Sequence, residues 1–138
     1  MDPYRQKILD HYRHPRHFGA LTNATHRAAL SNPLCGDDVA IALRVARGKI
    51  ADVRFTGRGC AISTAATSLL TEAVDGQQVA RIRRLQPADV FRLFGAPIGP
   101  ARHTCALLGY DALRQALGHK IRLSSNQKPP ALLPGGFR

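Results

Sequence analysis

Apolar residues alternate at Val39, Ile41, Leu43 and Val45, and again at Ala51, Val53 and Phe55, and behind Gly59 the alternation stops. Period two is the signature of a half-buried strand, and Arg47-Gly48-Lys49 supplies the turn, so the two runs predict a hairpin. Residues 60–74 are instead rich in small side chains, with Ile62, Ala66, Leu69, Leu70 and Ala73 on one helical face. That pattern predicts one helix able to approach a sheet closely. A hairpin feeding directly into a small-residue helix is the strongest restriction on the fold.

The flanking segments add helices. Residues 3–12 carry Tyr4, Ile8 and Tyr12 at i, i+4 and i+8 with Leu9 and His11 beside them, a short amphipathic helix that Pro15 ends. Residues 25–30 predict a first short strand. Pro87 suits a first helical turn, and Val90, Phe91 and Phe94 follow at helical spacing until Gly95. A Pro/Gly loop over residues 95–100 leads to a helix near Cys105 with Leu107, Leu108, Ala112, Leu113 and Leu117 inward, closed by Gly118. Residues 1–118 are expected to form one domain, which 138 residues can supply with a core of its own. Residues 119–138 hold Lys120, Arg122, Lys128 and Arg138 with no acid, together with Pro129-Pro130 and Pro134-Gly135-Gly136. This basic tail is expected to be extended or disordered, docked if at all through Leu132 and Leu133.

No apolar run reaches the ~18 residues of a membrane span, and the first residues lack a signal-peptide core. The expected address is the cytoplasm, where thiols stay reduced. A net charge of +11 and a pI near 10.8 would ordinarily suggest nucleic acid. Yet the 16 Arg and 4 Lys are scattered, with no run longer than Arg83-Arg84 and no interleaved aromatics. An acidic protein partner fits that distribution better.

Chemistry concentrates at three cysteines: Cys35 in Asn32-Pro33-Leu34-Cys35-Gly36-Asp37, Cys60 in Gly57-Arg58-Gly59-Cys60, and Cys105 in Arg102-His103-Thr104-Cys105. Cys60 and Cys105 fall at helix starts, where open amides and the dipole favour a thiolate. Arg102, one turn before Cys105, adds a fixed positive charge in the same sense. Around flexible Gly36, Cys35 and Asp37 can face one ion. Three thiolates with one oxygen donor suit Zn(II) or an iron-sulfur cluster and not Mg or Ca. On residues alone, other readings stand beside this one. The cysteines can be unrelated core residues, Asp37 an ordinary turn residue, and His103 a ligand, a proton carrier or a cap. His11, His14 and His17 recur at intervals of three, but Pro15 breaks the helix that would align them on a second metal.

Taken together, these motifs resemble the IscU/NifU/SufU family of iron-sulfur cluster assembly scaffolds. Residues 8–19, Ile-Leu-Asp-His-Tyr-Arg-His-Pro-Arg-His-Phe-Gly, are similar to that family's Asp-His-Tyr-x-x-Pro-Arg-Asn-x-Gly element. Cys35-Gly36-Asp37, Gly57-Arg58-Gly59-Cys60 and Cys105-Ala106-Leu107-Leu108 are similar to its three ligand motifs, and the likeness runs from Tyr4 to Leu117. The resemblance implies an α+β fold, a small antiparallel sheet packed on one side by helices. It implies that Cys35, Asp37, Cys60 and Cys105 hold a transient [2Fe-2S] cluster, with Zn(II) at the same ligands in the resting protein. It implies a pyridoxal-phosphate cysteine desulfurase as sulfur donor and iron-sulfur acceptor or carrier proteins as recipients. Cys105 would accept the persulfide in a scaffold, and Cys35 in a zinc-dependent sulfurtransferase of the SufU kind.

The chain also departs from that family's pattern. IscU proteins place His directly before the last cysteine, whereas His103 stands one place earlier. The 44 residues between Cys60 and Cys105 match IscU spacing, while Arg102-His103-Thr104-Cys105 is closer to SufU's Arg-x-Lys-Cys. The chaperone-binding Leu-Pro-Pro-Val-Lys of IscU reads Ile98-Gly99-Pro100-Ala101-Arg102 here. The leading expectation is a non-enzymatic scaffold. The alternatives are a SufU-like sulfurtransferase and a basic binding module with incidental cysteines.

Overall fold

In the computed structural model, which describes residues 3–32, 36–95 and 98–118, the alternating runs lie in a three-stranded antiparallel sheet. Its strands are β1 (His26–Asn32), β2 (Asp37–Ala46) and β3 (Lys49–Arg58), side by side in chain order. Ile41 stands opposite Ala28 on one neighbour and Phe55 on the other, and Leu43 opposite Val53. One face of the sheet therefore carries Ala28, Leu30, Val39, Ile41, Leu43, Val53 and Phe55, all in the main core. Beyond β3, residues 17–19 run alongside its free edge: Phe55 N–H donates to the His17 carbonyl at 2.9 Å and Gly19 N–H to the Phe55 carbonyl at 2.8 Å. These bonds satisfy part of an otherwise open strand edge.

The helices are stacked over that apolar face, residues 61–74 and 103–116 directly against the strands. They are α1 (Pro3–Arg13), α2 (Ala61–Val74), α3 (Val79–Ile82), α4 (Pro87–Phe94) and α5 (His103–Ala116), the last entered through a 3₁₀ turn at Pro100–Arg102. Of these, α3 and the 3₁₀ turn have no counterpart in the sequence reading. Leu70 and Val74 of α2 and Leu108, Ala112 and Leu113 of α5 complete the main core. α4 starts as expected, with proline in its first turn and a capping box between Gln86 and Asp89, and ends on left-handed Gly95.

Helix α2 packs against α1, α4, α5 and β3, so burial spreads round it to Ser63, Thr67, Ser68 and Thr71. The exception is Ala73, expected inside but exposed. Helix α2 comes close to α5, where a Cβ on Gly109 would lie 2.4 Å from Thr67 Oγ1. Only glycine admits that approach. The starts of α2 and α5, with Cys60 and Cys105, lie close together.

On α1 the buried stripe is Ile8 and His11, while Tyr12, expected on the inner face, is 44% exposed. Helix α1 meets α2 through a polar cluster that the sequence did not disclose. His11 Nδ1 lies 2.7 Å from Ser68 Oγ, which also accepts the Arg16 amide at 2.8 Å. His11 Nε2 stands 3.6 Å from Glu72. Burial, then the Arg16 guanidinium, hold the His11 pKa below its ordinary 6.5, with Lys7 acting in the same sense and Glu72 and Asp10 opposing. The folded chain thus keeps a neutral imidazole that the unfolded chain protonates more readily. Stability is fully present above about pH 6.5 and is expected to fall as the pH drops below it. Urea midpoints for wild type and His11→Gln test this: the wild-type midpoint should fall more steeply between pH 7 and 5.

Cys35 and the 119–138 tail lie outside the described residues. Among the described residues no helix is long and apolar enough to cross a membrane.

Candidate metal centre

Asp37 is the first residue of β2, paired with Asn32, and only 2% of it is exposed. The alternative reading of Asp37, as an ordinary turn residue, gives way to a place in the sheet. Its Oδ1 accepts the Cys60 amide at 3.1 Å across 23 residues of chain. Its Oδ2 is buried and, among the described residues, has no hydrogen-bond partner. A buried carboxylate oxygen left so is costly unless something cationic meets it.

Cys60 caps α2 in extended backbone conformation, and its Sγ accepts the Ser63 amide at 3.4 Å. It is the exposed cysteine of the described pair. The Ser63 hydroxyl donates to the Cys60 carbonyl at 3.2 Å. A Cβ on Gly59 would lie 2.1 Å from Ser63 Oγ and 3.2 Å from Asp37 Oδ1. Glycine is therefore what lets the strand end and the helix start close around the carboxylate. Ser63 is a site residue that sequence reasoning missed. Its position three residues beyond a cysteine cap was the available signal.

Cys105, on the first turn of α5, is 8% exposed and packs with Ile8, Ile62, Ala65, Leu69, Phe94 and Ile98. One ligand atom each from Asp37, Cys60 and Cys105 lies within 4.8 Å of the others. Two sulfurs on one tetrahedral zinc stand about 3.7 Å apart, from Zn–S bonds of about 2.3 Å, so the spacing suits a single ion. The unpartnered Oδ2 and the two soft sulfurs also match the donor types that zinc and iron take.

His103 is not among the groups brought together. Its Nε2 lies 2.9 Å from the Ile98 carbonyl, and its ring is tilted 30° over Phe91 at 4.6 Å. It ties the start of α5 to the loop before it.

A family model described as "NifU-like N terminal domain" matches residues 3–123. The zinc-dependent sulfurtransferase SufU of Bacillus subtilis (strain 168) is 30% identical over 131 residues, covering 83% of this chain and 88% of that protein. The iron-sulfur cluster assembly scaffold protein IscU of Aquifex aeolicus (strain VF5) is 34% identical over 116 residues, covering 83% and 73%. The crystal structure of a protein from Fervidobacterium islandicum AW-1, described as "Putative iron-sulfur cluster assembly scaffold protein for SUF system", is similar with a TM-score of 0.69 and 25% identity. It covers 85% of this chain and 96% of that one.

Proposed function

The chain belongs to the NifU-like N-terminal domain family, and we propose that it is a scaffold that accepts sulfur from a cysteine desulfurase, combines it with iron and hands a [2Fe-2S] cluster to acceptor proteins. The observation that carries this reading is the convergence of Asp37, Cys60 and Cys105 within 4.8 Å, with Asp37 Oδ2 buried and unpartnered. Cys35, two residues from Asp37 in sequence, supplies the third thiolate. The exposed Cys60 leaves the centre open on one side, which a cargo that must depart requires.

In the sulfur-accepting step, the Cys105 thiolate attacks the terminal sulfur of the donor's persulfide. A new S–S bond forms, the donor's own S–S bond breaks, and its electron pair leaves on the donor cysteine as a thiolate. The proton stays on the transferred sulfur and no external oxidant is needed. Zinc at Cys35, Asp37, Cys60 and Cys105 in the resting protein would keep the thiols deprotonated and shielded. The backbone amides of Cys60 and Ser63 meanwhile orient Asp37 and the Cys60 thiolate. We place this work in the cytoplasm, where thiols stay reduced.

A SufU-like sulfurtransferase is the second reading. It is favoured by His103 being tied to Ile98 rather than joining the centre, which leaves aspartate as the oxygen donor. Cys35 would then accept the persulfide.

The test is the visible spectrum after anaerobic incubation with ferrous iron, cysteine and a cysteine desulfurase. Sulfide-to-iron charge-transfer bands are the expected result. Accelerated desulfurase turnover without bands would replace the scaffold by the sulfurtransferase, and neither effect would overturn both.

A further inference from the structure

Cations that lie scattered along the sequence are gathered by the fold at the far end of α2. That helix starts beside the metal centre and runs 14 residues away from it, about 20 Å at 1.5 Å per residue. Where it ends, the turn between β2 and β3 meets the segment that follows α2. The Val79 amide donates to the Gly48 carbonyl at 2.8 Å, and the Ile50 amide to the Gln77 carbonyl at 2.9 Å. Residues 76–85 hold Arg81, Arg83 and Arg84 and no acid, and residues 46–50 hold Arg47 and Lys49 and no acid. All five cations are exposed. Arg83 donates to the Leu117 carbonyl at the end of α5 at 3.0 Å. The other four have no ion-pair partner among the described residues. Asp75, at the C-cap of α2, sets one negative charge against them, and Glu72 faces His11 and Arg16 instead. This basic end contains an open groove of about 220 Å³, with buried Val74 and Ile82 lining it alongside Ala73, Gln77, Arg81 and Leu85. It is smaller than the roughly 300–1,000 Å³ of small-molecule sites and suits a side chain or two.

We propose that this end is a docking surface for an acidic protein, which seats an aliphatic side chain against Val74 and Ile82 and sets carboxylates against Arg81, Arg84 and the Arg47-Gly48-Lys49 turn. Charge decides the occupant. Residues 119–138 follow directly from α5, but they carry four cations and no acid. The arginines that attract an acidic partner therefore repel the chain's own tail. A second copy of the chain, at net charge +11, is repelled likewise. Nucleic-acid phosphates would satisfy the cations but gain nothing from an aliphatic groove. At a protein interface, by contrast, the buried aliphatic contact supplies affinity and the surrounding charges select the partner. Position gives the surface its use. A protein held about 20 Å from Cys60 leaves that exposed sulfur uncovered, so it can hold the chain without competing for the metal centre. Binding here is independent of what the centre carries.

The test titrates the ¹⁵N-labelled full chain with a short peptide of glutamates around a central leucine, followed by NMR, whose dispersed spectrum also shows that each variant is folded. Amide shifts should change in residues 46–50 and 73–85 and stay fixed at Cys60 and Cys105, and Arg81→Glu should weaken binding about tenfold. Arg5→Glu makes the same change in net charge on α1 beside Ile62, at the other end of α2. It should leave the affinity within about twofold of wild type. Equal weakening by both variants would overturn the proposal by reducing the binding to net charge. Shift changes confined to other residues, or none, would overturn it directly. So would equal affinity for a peptide with serine in place of the leucine, because the groove would then be idle. Duplex DNA that binds the same residues more tightly would give the surface to nucleic acid. Peptide affinity raised by Leu132→Ser in the full chain would give the groove to residues 119–138, and either result would likewise overturn the proposal.

Discussion

Cys105→Ala is expected to end sulfur loading and to leave the charge-transfer bands absent, while the chain stays folded. The chemical half follows from where the thiol sits. Its sulfur is one of three donor atoms within 4.8 Å, and a methyl group neither attacks a persulfide nor binds iron. The structural half follows from size. Cys105 packs as a small side chain among Ile8, Ile62, Ala65 and Phe94, so trimming one sulfur should cost about 1 kcal/mol, the scale of a single methyl deletion. Mass spectrometry after incubation with cysteine and desulfurase checks the outcome: wild type gains the mass of one sulfur and the variant gains none. An adduct that persists in Cys105→Ala and disappears in Cys35→Ala would move the acceptor role to Cys35, and the protein to the sulfurtransferase reading.

Much of this arrangement is legible in the sequence, and the losses have physical causes. Alternation from Val39 to Val45 marks the main-core face of β2, because successive side chains of a strand point to opposite faces, although Ala40 and Ala42 on the other face are buried as well. The strand nevertheless starts two residues earlier, since Asp37 pairs with Asn32, and Gly36-Asp37-Asp38 reads locally as a turn. Tyr12 and Ala73 fit their helical periods yet are exposed. Periodicity says which residues share a face, and only packing says how wide the buried stripe is. That Cys60 and Cys105 stand at helix starts was legible in the sequence, and the family motifs pointed to the ligand set. The bond from the Cys60 amide to Asp37, by contrast, joins residues 23 apart, and no local pattern encodes it. The same holds for His11 against Ser68, 57 residues away.

Asp37→Asn should invert the balance between the stability of the metal-free chain and its affinity for zinc. In the wild type one carboxylate oxygen holds the Cys60 amide, and the other is buried without a partner. Asparagine preserves the first contact through its carbonyl oxygen, so the start of α2 keeps its geometry. Its other terminal atom is still unpartnered, but a neutral group costs less to bury than a charged one. The metal-free variant is therefore expected to be more stable than wild type by about 1–2 kcal/mol. Zinc reverses the order, because the variant has lost the anionic donor. Its affinity should fall by at least the roughly 10–100-fold that even outer partners of a metal site command. Urea unfolding in chelator and again in excess zinc, with competition against a chromophoric chelator, reads both quantities. A metal-free variant less stable than wild type would mean that Asp37 holds the fold and not the ion. Equal zinc affinity would remove Asp37 from the ligand set. The expected crossing of the two stabilities would identify the unpartnered oxygen as a cost the fold retains for its metal.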